Sequence, residues 1–485
     1  MITAAVEWIN GFVWGPGMLA FYLGAGLLLS VRTGFFQVRR FPLAVKTALG
    51  GLFGREKQKE GGISPFQALS TALAGTMGVG NIAGVATALT AGGAGAIFWM
   101  WASALLGMMT KFAEAALAVR YRAETPKGSS GGPMRYIRYG LGSRTLAAVY
   151  AALCLLACFG VGSMTPSGEV AAAFAGFGVP RWLTGAVTGA LCLAVILGGI
   201  KRIGQLSEKL IPSLSALYIL FALAAITLNI RELPGALGDI FRGAFTLRAA
   251  GGGAAGYGIA RAMRYGLARG VYTNEAGLGS SAIAHAASAE RDPVKQGLLG
   301  VFEVFLDTFV VTTLTALVIL TSQVSGADGA VLAGRAFSAS FGGFGAVFVA
   351  ASMFCFALPS MFGWSYYGER SLAWLLPEGR AGRAAIIAFR LAFSAAAALG
   401  AVMEPGMVWA AADAFNGLMA IPNLMAVVWL SGEVSRMVKG AQTKKRRPKR
   451  PCSAGGEKAH TSFISSMKPM SIMRKPKLKT EKARI

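Results

Sequence analysis

The sequence contains little charge, almost no histidine and few cysteines. Only 14% of its 485 residues are charged, whereas 54% are hydrophobic, and soluble globular proteins of this length do not have such a composition. Its two histidines, His285 and His460, are far apart, and four of its five cysteines lie in apolar segments. Because the chain has neither a nucleophile and base pair nor a cluster of metal ligands, we predict neither an enzyme nor a resident cofactor.

Eleven apolar segments are each long enough to cross about 30 Å of hydrocarbon as a helix. They lie near residues 11–31, 64–91, 95–119, 146–173, 183–200, 208–229, 257–288, 296–322, 343–368, 384–402 and 406–431. The pattern predicts an all-α, polytopic membrane protein. The first segment lacks a convincing cleavage site, so we interpret it as a retained helix and not as a signal peptide.

The distribution of basic residues predicts how the chain crosses the membrane. No Lys or Arg precedes the first span, whereas seven basic residues lie between positions 32 and 59, and basic residues stay on the cytoplasmic side. Alternation through eleven spans then places every basic connection inside except 230–256, for which we predict short helices over the outer mouth. The amino terminus is therefore predicted to be outside and the carboxyl terminus cytoplasmic.

Residues 436–485 form a basic tail. They include 16 Lys and Arg residues against Glu457 and Glu481. Four prolines and little apolar material predict a disordered segment. Because the tail belongs to a membrane protein, we expect its basic run Lys444–Arg450 to contact anionic lipid and not nucleic acid.

The second span is interrupted by a glycine-rich segment, Gly75–Gly84, that also contains Thr76 and Asn81. Exposed backbone within a bilayer must be buried in protein or line a cavity. A helix broken at mid-membrane presents carbonyl oxygens to a cation and N–H groups to an anion, as in secondary transporters. For this segment alone, close helix packing through Gly80 and Gly84 is the alternative.

The seventh span has a second such segment, Arg269–Ser281, with three glycines, Asn274 and the carboxylate of Glu275. Ionisable groups inside a membrane are costly to bury and mark functional sites. If the second span is the first helix of the core, the two interruptions fall in the first and sixth core helices. Interrupted helices at corresponding positions of two inverted repeats indicate a binding site near the middle of the membrane.

Several motifs together resemble the alanine or glycine:cation symporter family of amino acid carriers. They are Gly75–Ala86, Gly131–Ile137, Arg269–Ala287, Gln296–Thr308 and Gly363–Glu369, and the similarity covers residues 60–435. The resemblance implies a leucine-transporter-type fold, with a 5+5 inverted-repeat core and one extra leading helix. Residues 1–63 would contain the leading helix and its basic connection, 64–435 the ten core helices, and 436–485 the tail. It also implies sodium-driven uptake of small neutral amino acids across a prokaryotic plasma membrane.

The resemblance also implies which residues form the site. The family's substrate and ion positions correspond to Thr76, Gly78, Gly80 and Asn81, facing Tyr272, Asn274 and Gly277, with Ser360 and Trp364 on the ninth span. Sodium is expected between carbonyl oxygens near Thr76 and the hydroxyl of Ser360, which are hard ligands for a small cation. The substrate carboxylate is expected at the N–H groups after Gly78, and its ammonium near carbonyls of the 272–277 segment.

Two departures from the family pattern affect the choice of substrate. Val79 stands where the family tends to have threonine, and Pro166 where it has glutamine. Proline cannot replace the hydrogen bonds of glutamine, and it frees a carbonyl in the preceding turn. Substrate identity therefore stays open, and Glu169 adds a carboxylate that faces either the cavity or the outer water.

Coupling to protons is the alternative within the same fold. A proton needs a titrating carboxylate, for which Glu275, Glu169 and Asp307 are the candidates, whereas sodium needs only neutral oxygens. A channel would have a pore motif repeated around symmetric subunits, and this chain has its repeat within one polypeptide.

Overall fold

The computed structural model describes residues 2–53, 62–125, 128–245, 255–377 and 379–446. Residues 1–442 form one compact unit. Ser431–Arg446 is an α-helix, so the disorder predicted for residues 436–446 of the tail is wrong. The disorder predicted for 447–485 lies outside the described residues, and the expected lipid contact stays a prediction. A short hairpin pairs β1 (Ala123–Thr125) with β2 (Gly128–Ser130) in antiparallel register, and most of the rest is helical.

The helices form a leading group and two sets of five predicted spans. The leading group is α1 (Ile2–Val13), α2 (Pro16–Thr33), α3 (Phe36–Arg39) and α4 (Phe41–Phe53). The first set contains α5 (Pro65–Thr76), α6 (Ala83–Gly92), α7 (Gly95–Arg120), α8 (Pro133–Tyr136), α9 (Arg144–Phe159), α10 (Thr165–Ala175), α11 (Arg181–Ile196) and α12 (Gly199–Leu228). After α13 (Leu233–Phe245), the second set contains α14 (Ala255–Asn274), α15 (Ala282–Ala286), α16 (Pro293–Val304), α17 (Thr313–Thr321), α18 (Gly329–Phe341), α19 (Gly343–Leu375), α20 (Arg380–Val402) and α21 (Pro405–Trp429), and α22 (Ser431–Arg446) follows.

Two spans are continuous helices that pass through a π segment. Gly160–Met164 joins α9 to α10, and Phe305–Thr312 joins α16 to α17. Such segments often lie at functional sites. Pro166 comes directly after the first of them, where the N–H of Thr165 reaches the carbonyl of Gly160. The wider turn accommodates a residue that has no N–H of its own.

Seven helical stretches in the described ranges are long and apolar enough to cross a membrane. The pair α1 and α2, bent by 42°, makes an eighth if it is one span. The other predicted spans are 64–91 and 257–288, where the helices are interrupted, and 183–200, where α11 has 16 residues. The all-α, polytopic class is confirmed, while the number of eleven spans stays a prediction.

The first member of each set is the interrupted helix, formed by α5 with α6 and by α14 with α15. α14 packs against α6 and α7, and α5 packs against α12 and α19, so both interrupted helices lie among the other spans. This is the leucine-transporter-type arrangement that the sequence predicted. In the leading group, α1 packs against α21 and α2 against α7. The connection 230–256 contains α13, and its residues 246–254 are outside the described ranges.

Candidate functional site

The first interruption is a short irregular stretch between α5 and α6. Gly78 has an extended backbone, with φ −135° and ψ −150°, and a 3-10 turn over Val79–Asn81 follows. The side-chain oxygen of Asn81 accepts a hydrogen bond of 3.0 Å from the N–H of Gly78. Asn81 therefore folds the turn back onto the residue where the helix ends, and the whole stretch is buried.

The second interruption follows α14 and depends on left-handed backbone. Glu275, Gly277 and Gly279 have φ of 53°, 96° and 74°, and this region costs a residue other than glycine about 1–2 kcal/mol. The hydroxyl of Ser280 donates to one carboxylate oxygen of Glu275 at 2.5 Å. The side-chain oxygen of Asn274 accepts from the N–H of Ala276 at 3.0 Å. These bonds hold the stretch between α14 and α15 in place.

The first interruption touches the end of α14, which leads into the second interruption, at Gly80. A Cβ atom added to Gly80 would lie 3.1 Å from Cγ2 of Thr273 and 3.2 Å from Cδ1 of Tyr272. Position 80 therefore needs the smallest side chain so that the second interrupted helix can approach. The structure brings this part of both predicted segments together.

Asp307, in the π segment 305–312, connects both interruptions. The amide of Asn81 donates to a carboxylate oxygen of Asp307 at 2.7 Å and to the hydroxyl of Thr312 at 3.1 Å. The hydroxyl of Thr308 donates to the other carboxylate oxygen at 2.8 Å and accepts from the amide of Asn274 at 3.2 Å. This network was missed from the sequence, although an Asp–Thr pair inside an apolar span was the available signal.

Ser360 and Thr76 have different environments. The hydroxyl of Ser360 donates to the carbonyl of Gly75 at 3.3 Å, and a Cβ added to Gly78 would lie 3.1 Å from that hydroxyl. The hydroxyl of Thr76 instead bonds within α5, to the carbonyls of Ala72 and Leu73 at 3.4 and 3.3 Å. Of these two residues, only Ser360 brings a side-chain oxygen from another helix to the first interruption.

Trp364 and Gly277 lie further from the first interruption. Trp364 is buried with 1% of its surface exposed, packs on Gly162 of the π segment 160–164, and has its ring 5.5 Å from that of Tyr367. The N–H of Gly277 donates to Glu114 at 3.0 Å. A Cβ on Gly277 would meet Tyr22 and Leu424, so this glycine faces α2 and α21.

A group of five residues lies beside the second interruption at its α14 side, and we call it the Trp409 layer: Glu169, Arg269, Tyr272, Trp409 and Asp413. The indole N–H of Trp409 donates to Glu169 at 2.8 Å, and its ring lies 4.9 Å from the ring of Tyr272. Arg269 donates two hydrogen bonds to Asp413, at 3.1 and 2.8 Å, and its guanidinium is 4.5 Å from the indole. Glu169, whose orientation the sequence left open, is buried and joins α10 to α21.

A second buried polar group lies on the α15 side, and we call it the Lys111 cluster: Lys111, Ser281, His285, Gln296 and Glu303. The ammonium of Lys111 is 3.3 Å from Glu303 and donates to Ser281 at 2.7 Å. His285 is 2.8 Å from Glu303 and 2.7 Å from Gln296. The cluster ties α15 to α7 and α16, and four of its five members lie inside the motifs Arg269–Ala287 and Gln296–Thr308.

Interrupted membrane helices that meet among buried polar groups are how secondary transporters build their binding sites. The fold and the site therefore define a secondary membrane transporter. The sequence model of the sodium:alanine symporter family matches residues 1–454. The chain belongs to this family, which confirms the resemblance of its motifs and makes it a multi-pass symporter of amino acids and cations.

Individual proteins show the extent of the similarity. The chain is 42% identical over 445 residues to the sodium/alanine symporter AgcS of Methanococcus maripaludis, covering 89% of this chain and 95% of AgcS. It is 33% identical over 432 residues to the amino-acid carrier protein AlsT of Bacillus subtilis, covering 89% and 90%. A solved Na+-coupled sialic acid symporter, in a substrate-bound outward-open state, has 13% identity and a TM-score of 0.46, covering 89% of this chain and 86% of that one.

Proposed function

We propose that the chain carries small neutral amino acids, alanine or glycine above all, together with Na+ across the plasma membrane. The observation that carries the proposal is the contact at Gly80 between the first interruption and the end of α14 that leads into the second, with the hydroxyl of Ser360 at the first interruption. Membership in the sodium:alanine symporter family supports both the coupling ion and the substrate class. The distribution of Lys and Arg supports an outer amino terminus and a cytoplasmic carboxyl terminus.

The proposed sodium site uses main-chain and hydroxyl oxygens. The carbonyl of Gly75, the backbone near Thr76 and the hydroxyl of Ser360 supply the hard oxygens that a small cation prefers. Because the hydroxyl of Thr76 is bonded within α5, we assign its contribution to the main chain. The substrate carboxylate would bind the N–H groups that follow Gly78, and the ammonium the carbonyls near Asn274.

Alternating access would open one side of this site at a time. Arg269 and Tyr272 of the Trp409 layer lie just before the second interruption in the chain, and Ser281 and His285 of the Lys111 cluster lie at its end or just after it, so the two groups contact opposite ends of that break. With the proposed orientation, the Trp409 layer closes the outer side and the Lys111 cluster holds the inner side. Each transition then has to exchange buried hydrogen bonds for contacts with water.

A thermal-shift panel on the purified protein tests the proposal. Alanine, glycine, serine and larger amino acids would be compared in NaCl and in choline chloride at the same ionic strength and pH. A ligand that binds the folded state raises the melting temperature with its occupancy, so alanine and glycine should stabilise the protein only with sodium. Equal stabilisation in choline, with a strong dependence on pH, would instead favour the proton-coupled alternative through Asp307, Glu169 or Glu275.

Replacing Ser360 by alanine is expected to raise the sodium concentration for half-maximal uptake about tenfold, which corresponds to about 1.4 kcal/mol. The reason is the loss of one oxygen ligand without a change in packing. Ser371→Ala is the matched control, because Ser371 is also buried in α19 and its hydroxyl has no hydrogen-bond partner among the described residues. An unchanged sodium dependence in Ser360→Ala would remove this residue from the cation site.

Replacing Pro166 by glutamine is expected to change the order of preference among glycine, alanine and serine. Pro166 is buried in α10, which packs against the 3-10 turn of the first interruption. A buried polar group without a partner costs about 1–3 kcal/mol, a factor of about 5–150 in affinity. Competition against labelled alanine uptake measures the ranking, with Pro180→Gln at an exposed position as the control. A fixed ranking in a folded, active variant would place Pro166 outside the substrate shell.

A further inference from the structure

The buried carboxylates outnumber the basic side chains around them. Glu114, Glu275, Glu303 and Asp307 each have at most 1% of their surface exposed. The buried basic residues of the described chain are Lys111, His285 and Arg269, and Arg269 is paired with Asp413 in the Trp409 layer.

Even with His285 protonated, these four carboxylates face only two positive charges, those of Lys111 and His285. A buried charge without compensation is strongly unfavourable. Bound cations or protons therefore have to balance the difference, and the single sodium site at Ser360 would leave part of it unbalanced.

Two of the buried oxygen atoms near the first interruption have no partner. They are Oε1 of Glu275 and the hydroxyl oxygen of Tyr367, and neither makes a hydrogen bond within the described protein. The other carboxylate oxygen of Glu275 is held by Ser280 at 2.5 Å, so its free oxygen has a defined direction. A buried carboxylate oxygen without a partner needs an explanation, and a bound ion is one that also supplies the missing positive charge.

Both free oxygens lie beside the same place, the position that a side chain of Gly75 would occupy. A Cβ added there would lie 2.8 Å from the hydroxyl oxygen of Tyr367 and 3.4 Å from Oε1 of Glu275. Gly75 has no side chain to fill this place, and it also packs closely on Gly363 of α19. The carbonyl of Gly75 is bonded to Ser360, which makes this place a neighbour of the proposed sodium site.

The arrangement of the two oxygens around one place suits a metal cation that bridges them. The hydroxyl of Tyr367 does not donate to Glu275, although both oxygens are buried beside Gly75. A small hard cation at about 2.3–2.6 Å from each oxygen holds two ligands further apart than a hydrogen bond does. We propose that Glu275 and Tyr367 form a second Na+ site, in which the carboxylate supplies the charge and the phenol a neutral oxygen. The proposal rests on the proposed function in one respect, that Na+ is the coupling ion.

Sodium titration of the purified full-length protein tests the second site. Melting temperature would be measured without amino acid, with NaCl replacing choline chloride at constant ionic strength and pH. The variants are Glu275→Gln, which removes the charge, and Tyr367→Phe, which removes only the hydroxyl. Tyr218→Phe is the control, because Tyr218 is equally buried but its hydroxyl is bonded to Thr315 at 2.8 Å.

The original chain is expected to show a steep sodium dependence, with a Hill coefficient above one. Glu275→Gln and Tyr367→Phe should each raise the sodium midpoint about tenfold and bring the Hill coefficient to one, while Tyr218→Phe leaves both unchanged. If Glu275→Gln does not fold, the sodium midpoint and Hill coefficient of Tyr367→Phe alone test the second site. An unchanged sodium midpoint and Hill coefficient in the folded variants overturns the second site.

The failure of this inference can be distinguished from failure of the proposed function. If Ser360→Ala shifts the sodium midpoint while Glu275→Gln and Tyr367→Phe do not, only the second site is wrong. If the original chain is not stabilised by sodium at all, both the coupling ion and the second site are wrong.

Discussion

Replacing Asn81 by alanine is expected to lower the rate of alanine uptake about 100-fold while the protein still inserts into the membrane. The variant leaves the N–H of Gly78, the carboxylate of Asp307 and the hydroxyl of Thr312 without the partner that now joins them. A buried group without a partner costs about 1–3 kcal/mol, and about 2.7 kcal/mol corresponds to a factor of 100. Labelled alanine uptake into proteoliposomes, normalised to incorporated protein, measures the effect.

Asn229→Ala is the matched control for that experiment. Asn229 also donates through its amide, to Ser340 at 2.7 Å, but at the end of α12. Its replacement should leave uptake within a factor of two. Uptake by Asn81→Ala above half of the original rate would mean that the network through Asp307 is not needed for transport.

Replacing Gly78 by valine is expected to abolish measurable uptake and to lower the melting temperature. The backbone conformation is not the reason, because φ of −135° is open to any residue. The reason is space, since a first added carbon would already lie 3.1 Å from Oγ and 3.2 Å from Cβ of Ser360. The two further methyl groups of valine would have to displace α19 or the interruption, and overpacking of this kind costs about 1–3 kcal/mol or more.

Two related variants make the Gly78 prediction specific. Gly78→Ala needs a shift of only a few tenths of an ångström at Ser360 and should keep part of the activity. Adding Ser360→Gly to Gly78→Val removes the contacting side chain and should restore the melting temperature in part, though not the sodium dependence. Normal uptake by Gly78→Val would show that the first interruption does not pack against α19 during transport.

The positions of both interruptions are predictable from the sequence because their cause is local. Hydrocarbon cannot satisfy exposed backbone, so clustered glycines beside Thr76, Asn81 and Asn274 indicate where a span leaves the helix. The interruptions lie five spans apart, in the second and seventh spans, which predicts two repeats of five spans each. The resemblance to the family then implies the fold. The same local reasoning does not say which way each residue faces, and Gly277 illustrates this. The left-handed turns at positions 275 and 277 direct it to α2 and α21 and not to the first interruption.

The carboxylates show a second limit of the sequence. Asp307, Glu169 and Glu275 look alike as isolated acids in apolar spans, and all three are candidates for proton coupling. In the structure Asp307 accepts hydrogen bonds from Asn81 and Thr308, Glu169 accepts from Trp409, and only Glu275 has a carboxylate oxygen without a partner. Their different roles depend on neighbours from other helices, and a local sequence pattern does not identify those neighbours.

The sequence by itself determined the class of this protein, its family and the two places where its membrane helices are interrupted. These depend on composition, on motif order and on glycines within apolar runs, all of which are properties of neighbouring residues. Only the tertiary structure decided which polar groups share the Asp307 network and the Lys111 cluster. The reason is distance along the chain, since 226 residues separate Asn81 from Asp307 and 170 separate Lys111 from Ser281. Packing of the helices, and not any short-range preference, brings such partners within hydrogen-bond distance.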